Sequence, residues 1–215
     1  VMKLLGYWRS SAAYRVRIAL NLKGLDAELE SVHLVKNGGE QHLPEYAALN
    51  PQELVPTLIE GDNEFVLSQS LAIIEYLDEQ YGGIMMLPKD PKARAEVRAM
   101  ALSIACEVHP LNNLKVLQYL TNTLELDEDT KNAWYHHWIH QGFSAFEKQL
   151  ERHAGTYCYG DEVTLADLCL IPQVYNANRF KVDLGAYPNI RRIWDNCHKL
   201  EAFQLAAPER QADAI

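Results

Sequence analysis

The sequence predicts an α/β domain over residues 1–83 followed by an all-helical domain over residues 91–215. Three observations lead there. Short apolar runs of strand type alternate with helix-period segments as far as Tyr81. Gly82-Gly83 and the stretch from Pro88 to Pro91 then interrupt the pattern as a linker does. Beyond Pro91 no convincing strand occurs, and apolar residues recur at three- and four-residue spacing.

The elements follow in order. Lys3-Leu4-Leu5-Gly6-Tyr7 reads as a strand. Ser10 to Lys23 reads as a helix, with Ala12, Ala13, Val16, Ala19 and Leu20 on one face. Ile18 and Leu22 make a second apolar face, so this helix is expected to be covered on two sides. Gly24 ends it as a C′ glycine. Ala27 to Leu34 alternates imperfectly and reads as a strand, and residues 41–48 as a short helix. Val55 to Ile59 and Glu64 to Leu67 flank Gly61-Asp62-Asn63, the signature of a hairpin. Gln69 to Tyr81 is a helix with Leu71, Ile74, Leu77 and Tyr81 on one side. The order β-α-β-α-β-β-α implies a mixed sheet with helices on both faces, which is the thioredoxin-like arrangement.

In the second half, residues 91–119 read as one helix with Val97, Met100, Ala101, Ile104 and Val108 facing inward and a kink at Pro110. Residues 128–152, 164–179 and 188–200 read as further helices. Thr164-Leu165-Ala166-Asp167 has capping-box form, with Val163 and Leu168 placed for a hydrophobic staple. That assigns Asp167 a structural role.

Composition narrows the function classes. The formal net charge is −9, and both halves are acidic: residues 1–83 carry 6 Lys and Arg against 12 Asp and Glu. Nucleic-acid and anionic-membrane binding are therefore disfavoured. No apolar run approaches the ~18 residues of a spanning helix. The four cysteines, Cys106, Cys158, Cys169 and Cys197, include no CxxC pair, so a protein of the reducing cytoplasm with free thiols is expected. His136 and His140 stand at i,i+4 without a Glu between them in HExxH fashion or a third ligand, and read as part of an aromatic-rich helix face with Trp134 and Trp138.

Three stretches could carry chemistry. Arg9-Ser10-Ser11 opens the first helix, where free amides and the helix dipole attract anions and lower a thiol pKa. Ser10 is either a plain N-cap or a donor to such an anion. Val55-Pro56 opens a strand. A cis bond there would offer the Val55 amide and carbonyl to a peptide-like ligand, whereas a trans bond would be an ordinary edge proline. Gln69-Ser70 opens another helix and could hold a carboxylate, or cap it only. A thioredoxin-like half with these sites and no cysteine at its first helix suggests a thiol brought in from outside, and glutathione is a small peptide thiol with two carboxylates.

The residues resemble a known family. "RSSAAYRVRIALNLKG" (9–24) is similar to the RSSCxWRVRIALxxKG signature of zeta-class glutathione transferases, a group that includes maleylacetoacetate isomerases. The similarity continues through "ALNPQELVPTL" (48–58), "SQSLAIIEYLDE" (68–79), "GDEVTLADLCLIPQVYNANRFKVDL" (160–184), "YPNIRRI" (187–193) and "LEAFQLAAPERQ" (200–211). The resemblance implies the glutathione transferase fold, with residues 1–83 binding glutathione and 91–215 the substrate. It implies glutathione-dependent isomerisation of maleylacetoacetate to fumarylacetoacetate in tyrosine and phenylalanine breakdown. Maleylpyruvate isomerisation, or transfer and dehalogenation on small 2-halo acids, stand as alternatives. It also implies a homodimer.

Residue by residue, the resemblance places Ser10 at the glutathione sulfur with Ser11 as a second polar contact. Gln41 approaches glutathione, Val55 before Pro56 pairs with its cysteinyl unit, and Gln69 and Ser70 hold its γ-glutamyl carboxylate. His109 and Asn113 match cleft-lining positions, and Arg9 and Arg179 are candidates for the carboxylates of a dicarboxylate substrate. Ala12 and Tyr14 stand where the signature has cysteine and tryptophan. A route through a protein thiol at that place is therefore closed, which leaves glutathione as the nucleophile.

Overall fold

A computed structural model describes residues 1–215. They form two compact units, Val1–Met86 together with His198–Ile215, and Leu87–Cys197.

The first unit holds strands β1 (Met2–Gly6), β2 (Glu28–Ser31), β3 (Thr57–Glu60) and β4 (Phe65–Ser68) with helices α1 (Ser11–Lys23), α2 (Pro44–Leu49) and α3 (Ser70–Tyr81). The sheet order is β2-β1-β3-β4; β1 and β2 are parallel, and β3 and β4 run antiparallel to their neighbours. This is the expected mixed sheet. Successive side chains alternate between faces. Leu5 and Ile59 point to the face where Val32 and Tyr46 of the α2 side pack, so the neighbouring Leu4 and Leu58, both buried, point to the opposite face. Gly6 lets that strand approach α1, for a Cβ there would stand 3.1 Å from the Ala13 Cβ. The second strand is shorter than expected, four exposed residues at the sheet edge. Only the edge-pairing stretch stays extended, and the chain turns away after it.

Helix α1 is buried along nearly all of Ser11 to Leu20, more completely than a one-sided stripe would be. Gly24 terminates it at φ 64°, in the left-handed region glycine adopts without strain. Its second cover corrects the expected domain boundary. Residues 198–215 belong to the first unit, not to the helical half. Within them α9 (Glu201–Ala206) buries Phe203 and Ala206 and packs on α1. Asn21 Nδ2 donates to the Ala202 carbonyl at 3.0 Å, and Arg17 Nε to the Ala206 carbonyl at 3.0 Å. A helix apolar on two faces needs a partner on each, and the sheet supplies only one.

The second unit contains α4 (Pro91–Ala105), α5 (Leu114–Gln118), α6 (Glu128–His153), α7 (Leu165–Arg179) and α8 (Pro188–Cys197). The expected inward face of α4 is buried at Val97, Met100, Ala101 and Ile104. The single kinked helix expected over 91–119 is instead broken. Helix α4 stops at Ala105, and a 3₁₀ turn, His109–Asn112, precedes α5. Pro110 biases His109 away from the α region and its ring would meet the carbonyl four residues back. The turn is fastened to α6 by Asn112 Nδ2 donating to the Tyr135 carbonyl and Trp134 Nε1 to the Leu111 carbonyl. Gly142 permits the approach of Val108, since a Cβ there would lie 2.2 Å from its Cγ2.

Helix α7 is the buried centre of this unit, with Leu165 through Val174 all buried. Its capping box forms. Asp167 Oδ2 accepts from the Thr164 amide and Oδ1 from the Cys158 amide, both at 2.9 Å. Burial pushes this carboxyl up to about 6, against the opposing effect of the two amides. Because the folded pKa lies above the unfolded one, protonation favours the folded state. The contribution is present below the unfolded pKa of 3.8 and lost as pH rises through about 6. Stability is expected to fall by on the order of 3 kcal/mol from this group across that window. Urea unfolding of the wild type and Asp167→Asn from pH 4 to 7 measures it, the variant showing the flatter profile; parallel profiles would count against this titration.

Candidate active site

One row across the sheet brings the separated motifs together. Leu5 pairs with Thr57, and Thr57 with Ser68. Just past Leu5 the chain leads to Ser10. Just before Thr57 lie Val55 and Pro56, and just after Ser68 come Gln69 and Ser70. Strand β2 runs parallel to β1 and pairs Ser31 with Gly6, so the segment that leads to Gln41 leaves from the same end. Residues far apart in sequence therefore emerge at a single end of the sheet.

Ser10 is the N-cap of α1, its Oγ accepting from the Ala13 amide at 3.1 Å. A hydroxyl that accepts through a lone pair keeps its own proton to donate. The capping role and the donor role therefore coexist on the same atom. Ser11 follows at the first helical position and is buried. Arg9 is exposed, its guanidinium 4.3 Å above the Trp8 ring.

The Val55-Pro56 bond is cis. No backbone hydrogen bond outside the regular elements uses the Val55 amide or carbonyl. The loop before it is held from below by buried side chains. The Tyr46 hydroxyl donates to the Leu54 carbonyl and shares a hydrogen bond with Thr57 Oγ1, while Asn50 Nδ2 reaches the same Leu54 carbonyl at 2.8 Å.

Gln69 adopts φ 74°, ψ 114°, a backbone conformation that L residues avoid. It places Ser70 as the first residue of α3, so Ser70 is not the cap that a plain reading of the sequence allowed. The Gln69 side chain donates to Gln52 Oε1 at 2.8 Å. Ser70 is buried, and its Oγ accepts from Arg15 Nη1 at 3.1 Å. Arg15, only 2 % exposed, is the buried cation beside the candidate site that sequence reasoning missed. The signal was there in three arginines within nine residues, but a helix wheel does not say which of them turns inward. Its charge adds to the dipole of the α3 N-terminus, where anions are favoured.

Gln41 is buried; Nε2 donates to the Leu34 carbonyl at 3.4 Å, and Oε1 has no hydrogen-bond partner. Gly39, at φ 100°, makes room for this side chain, because a Cβ there would lie 2.7 Å from Oε1. A buried acceptor without a donor, an unclaimed Val55 backbone and a cationic helix start together fit a peptide thiol with carboxylates. Ser10, Gln41, Val55, Gln69 and Ser70 would hold glutathione.

The remaining expected residues belong to the second unit. His109 begins the 3₁₀ turn, and Asn113 is the N-cap of α5 with no side-chain cap bond. Arg179 ends α7, is exposed, donates to Asn176 Oδ1 at 3.3 Å, and lies 5.6 Å from the Phe180 ring. Helix α6 anchors that corner: Tyr135 stacks on Phe180 at 3.9 Å, and a His136 ring nitrogen meets the Phe180 carbonyl at 2.7 Å. His140 engages the Tyr187 hydroxyl. These histidines thus tie helices together, as an aromatic face does.

Comparison with known proteins agrees with this geometry. Residues 4–84 match the glutathione S-transferase N-terminal domain, and residues 113–204 the C-terminal domain. A probable maleylacetoacetate isomerase of Vibrio cholerae is 54% identical over 98% of this chain and 97% of its own. The holo structure of a maleyl pyruvate isomerase, a bacterial zeta-class glutathione S-transferase, superposes with a TM-score of 0.94 at 46% identity, covering 99% of this chain and 100% of that one. The maleylacetoacetate isomerase of Methylobacterium extorquens AM1, solved with malonate and glutathione, gives a TM-score of 0.92 at 41% identity over 99% of both chains. The chain belongs to the glutathione S-transferase family, in its zeta class.

Proposed function

We propose that the chain is a glutathione-dependent cis–trans isomerase converting maleylacetoacetate to fumarylacetoacetate. The observation that carries the reading is the Leu5–Thr57–Ser68 row, from which the segments holding Ser10, Val55 and Ser70 leave one end of the sheet. The 54% identity to a probable maleylacetoacetate isomerase supports the choice of substrate. The malonate held alongside glutathione by the relative from M. extorquens supports a small dicarboxylate.

Bound glutathione supplies a thiolate whose reversible addition to the conjugated cis double bond leaves a single bond free to rotate. The protein's part is positioning and charge. The Ser10 hydroxyl, at the positive end of the α1 dipole, favours the ionised sulfur. The Val55 backbone fixes the cysteinyl unit, and Ser70, Gln69 and the Arg15 charge fix the γ-glutamyl end. Ser11 and Gln41 add polar contacts. Arg9 and Arg179 are the candidates for the substrate carboxylates, and His109 and Asn113 match cleft-lining positions. Residues 1–83 thus bind glutathione, and the helical residues from 91 the substrate. Ala12 supplies no thiol, so the sulfur that reacts is the visitor's.

Free thiol followed through turnover tests the reaction. Isomerisation is expected to leave it constant while fumarylacetoacetate accumulates; stoichiometric loss would establish transfer instead. Rates on maleylacetoacetate and maleylpyruvate compared side by side are expected to favour the first, and a reversed preference would reassign the substrate. We further read the chain as a cytoplasmic homodimer of tyrosine and phenylalanine breakdown. The four cysteines form no disulfide, which supports a reducing compartment. Sedimentation of a single-chain species would overturn the dimer. No helix is long and apolar enough to cross a membrane.

A further inference from the structure

The turn that presents Ser10 is held by side chains the proposed mechanism does not use. Tyr7 to Ser10 close a turn, the Ser10 amide donating to the Tyr7 carbonyl at 2.9 Å. Both backbone polar groups of Trp8, inside that turn, are taken by side chains. Its amide donates to Asp213 Oδ2 at 3.1 Å, and its carbonyl accepts from Arg17 Nη2 at 3.1 Å. The same Asp213 oxygen accepts from Ser31 Oγ at 3.0 Å, and Arg17 Nε reaches the Ala206 carbonyl at 3.0 Å. Trp8 thus joins the end of β2, the middle of α1 and the segment after α9. That segment is itself fixed, since Gln211 Nε2 donates to the Leu205 and Ala207 carbonyls.

We propose that Asp213 and Arg17 are positioning residues for Ser10: by holding the two faces of the Trp8 peptide units, they set the path of the chain into the α1 N-cap. The proposal rests on the glutathione site above and deepens it. A cap whose hydroxyl must accept from Ala13 and donate to a sulfur has little freedom, and displacements of about 1 Å at such a centre lower rates by up to ~10²-fold. A bare helix start would suffice to cap. Two side chains, Arg17 from α1 itself and Asp213 from 205 positions away, spent on the two consecutive peptide units at Trp8, fix a direction as well. Asp213 is the testable half, because it is partly exposed and its replacement leaves the core untouched.

The experiment titrates the ultraviolet absorbance of bound glutathione thiolate and measures kcat and KM for Asp213→Ala and Asp213→Asn, with thermal unfolding in parallel. Alanine removes the acceptor, while asparagine keeps a carbonyl oxygen for the Trp8 amide. Asp213→Ala is expected to raise the bound thiol pKa by about half to one unit. It is also expected to lower kcat by roughly tenfold, with KM for glutathione changed by less than about threefold. Asp213→Asn is expected within about threefold of wild type in kcat. A wild-type thiol pKa in Asp213→Ala, or equal losses in the two variants that track their melting temperatures, would overturn the clamp. If wild-type protein itself leaves the thiol at its solution value, the glutathione site falls and the clamp with it. A lowered wild-type value alongside an unaffected Asp213→Ala removes the clamp alone.

Discussion

Ser10→Ala is expected to lower kcat by roughly 10²- to 10³-fold, the loss that follows removal of one preorganised donor from a developing or resident anion. The substitution has a second consequence, because Ser10 also caps α1 through the Ala13 amide. Losing that cap costs about 1 kcal/mol of stability, too little to unfold the chain and too little to explain the rate. The two effects separate in one set of measurements. Glutathione binding by calorimetry is expected to weaken far less than kcat, since Val55, Gln69 and Ser70 remain. Ser10→Thr keeps the hydroxyl and is expected to recover much of the rate. Turnover by Ser10→Ala at the wild-type level would refute the assignment of Ser10 to the sulfur.

Lys23→Met is expected to have the largest effect on stability. Lys23 and Asp78 form an ion pair at 3.1 Å with both side chains only 1% exposed. Lys23 Nζ also donates to the carbonyls of Gly82 and Ile84, and Asp78 Oδ2 accepts from the Met86 amide at 2.9 Å. The pair therefore joins the end of α1 to the end of α3 and to the segment that leaves it. Removing the cation alone strands a buried carboxylate, a loss of about 3–5 kcal/mol. Chemical denaturation measures it. The double variant Lys23→Met with Asp78→Asn is expected to regain part of the loss, because no unpaired charge is left behind. A double variant as unstable as the sum of its singles would show that the hydrogen bonds, not the charge, dominate.

Much of the local structure was legible in the sequence. The alternation of strand and helix, the hairpin around Gly61, Gly24 as a terminator and the capping box at Thr164 are local signals, each set by sterics or hydrogen bonding within a few residues. The site was legible in part for the same reason: helix starts and an X-Pro step can be read from short stretches. Arg15 was not, because its worth depends on Ser70, fifty-five positions away. Pro110 breaks the helix rather than kinking it because whether a helix continues past proline depends on what its neighbours offer the freed groups, here the Trp134 indole of α6, which takes the Leu111 carbonyl.

The sequence by itself determined the alternation of strand and helix in the first half, the helical character of the second, and the family. The tertiary structure alone decided that residues 198–215 return to the first unit, that Arg15 and Arg17 turn inward, and that four separated segments leave one end of a sheet. Those outcomes depend on burial and register between distant parts of the chain. Hydrophobic contact carries no label saying which partner will cover a given face, and a helix such as α1, apolar on two sides, specifies that it needs two partners without naming either.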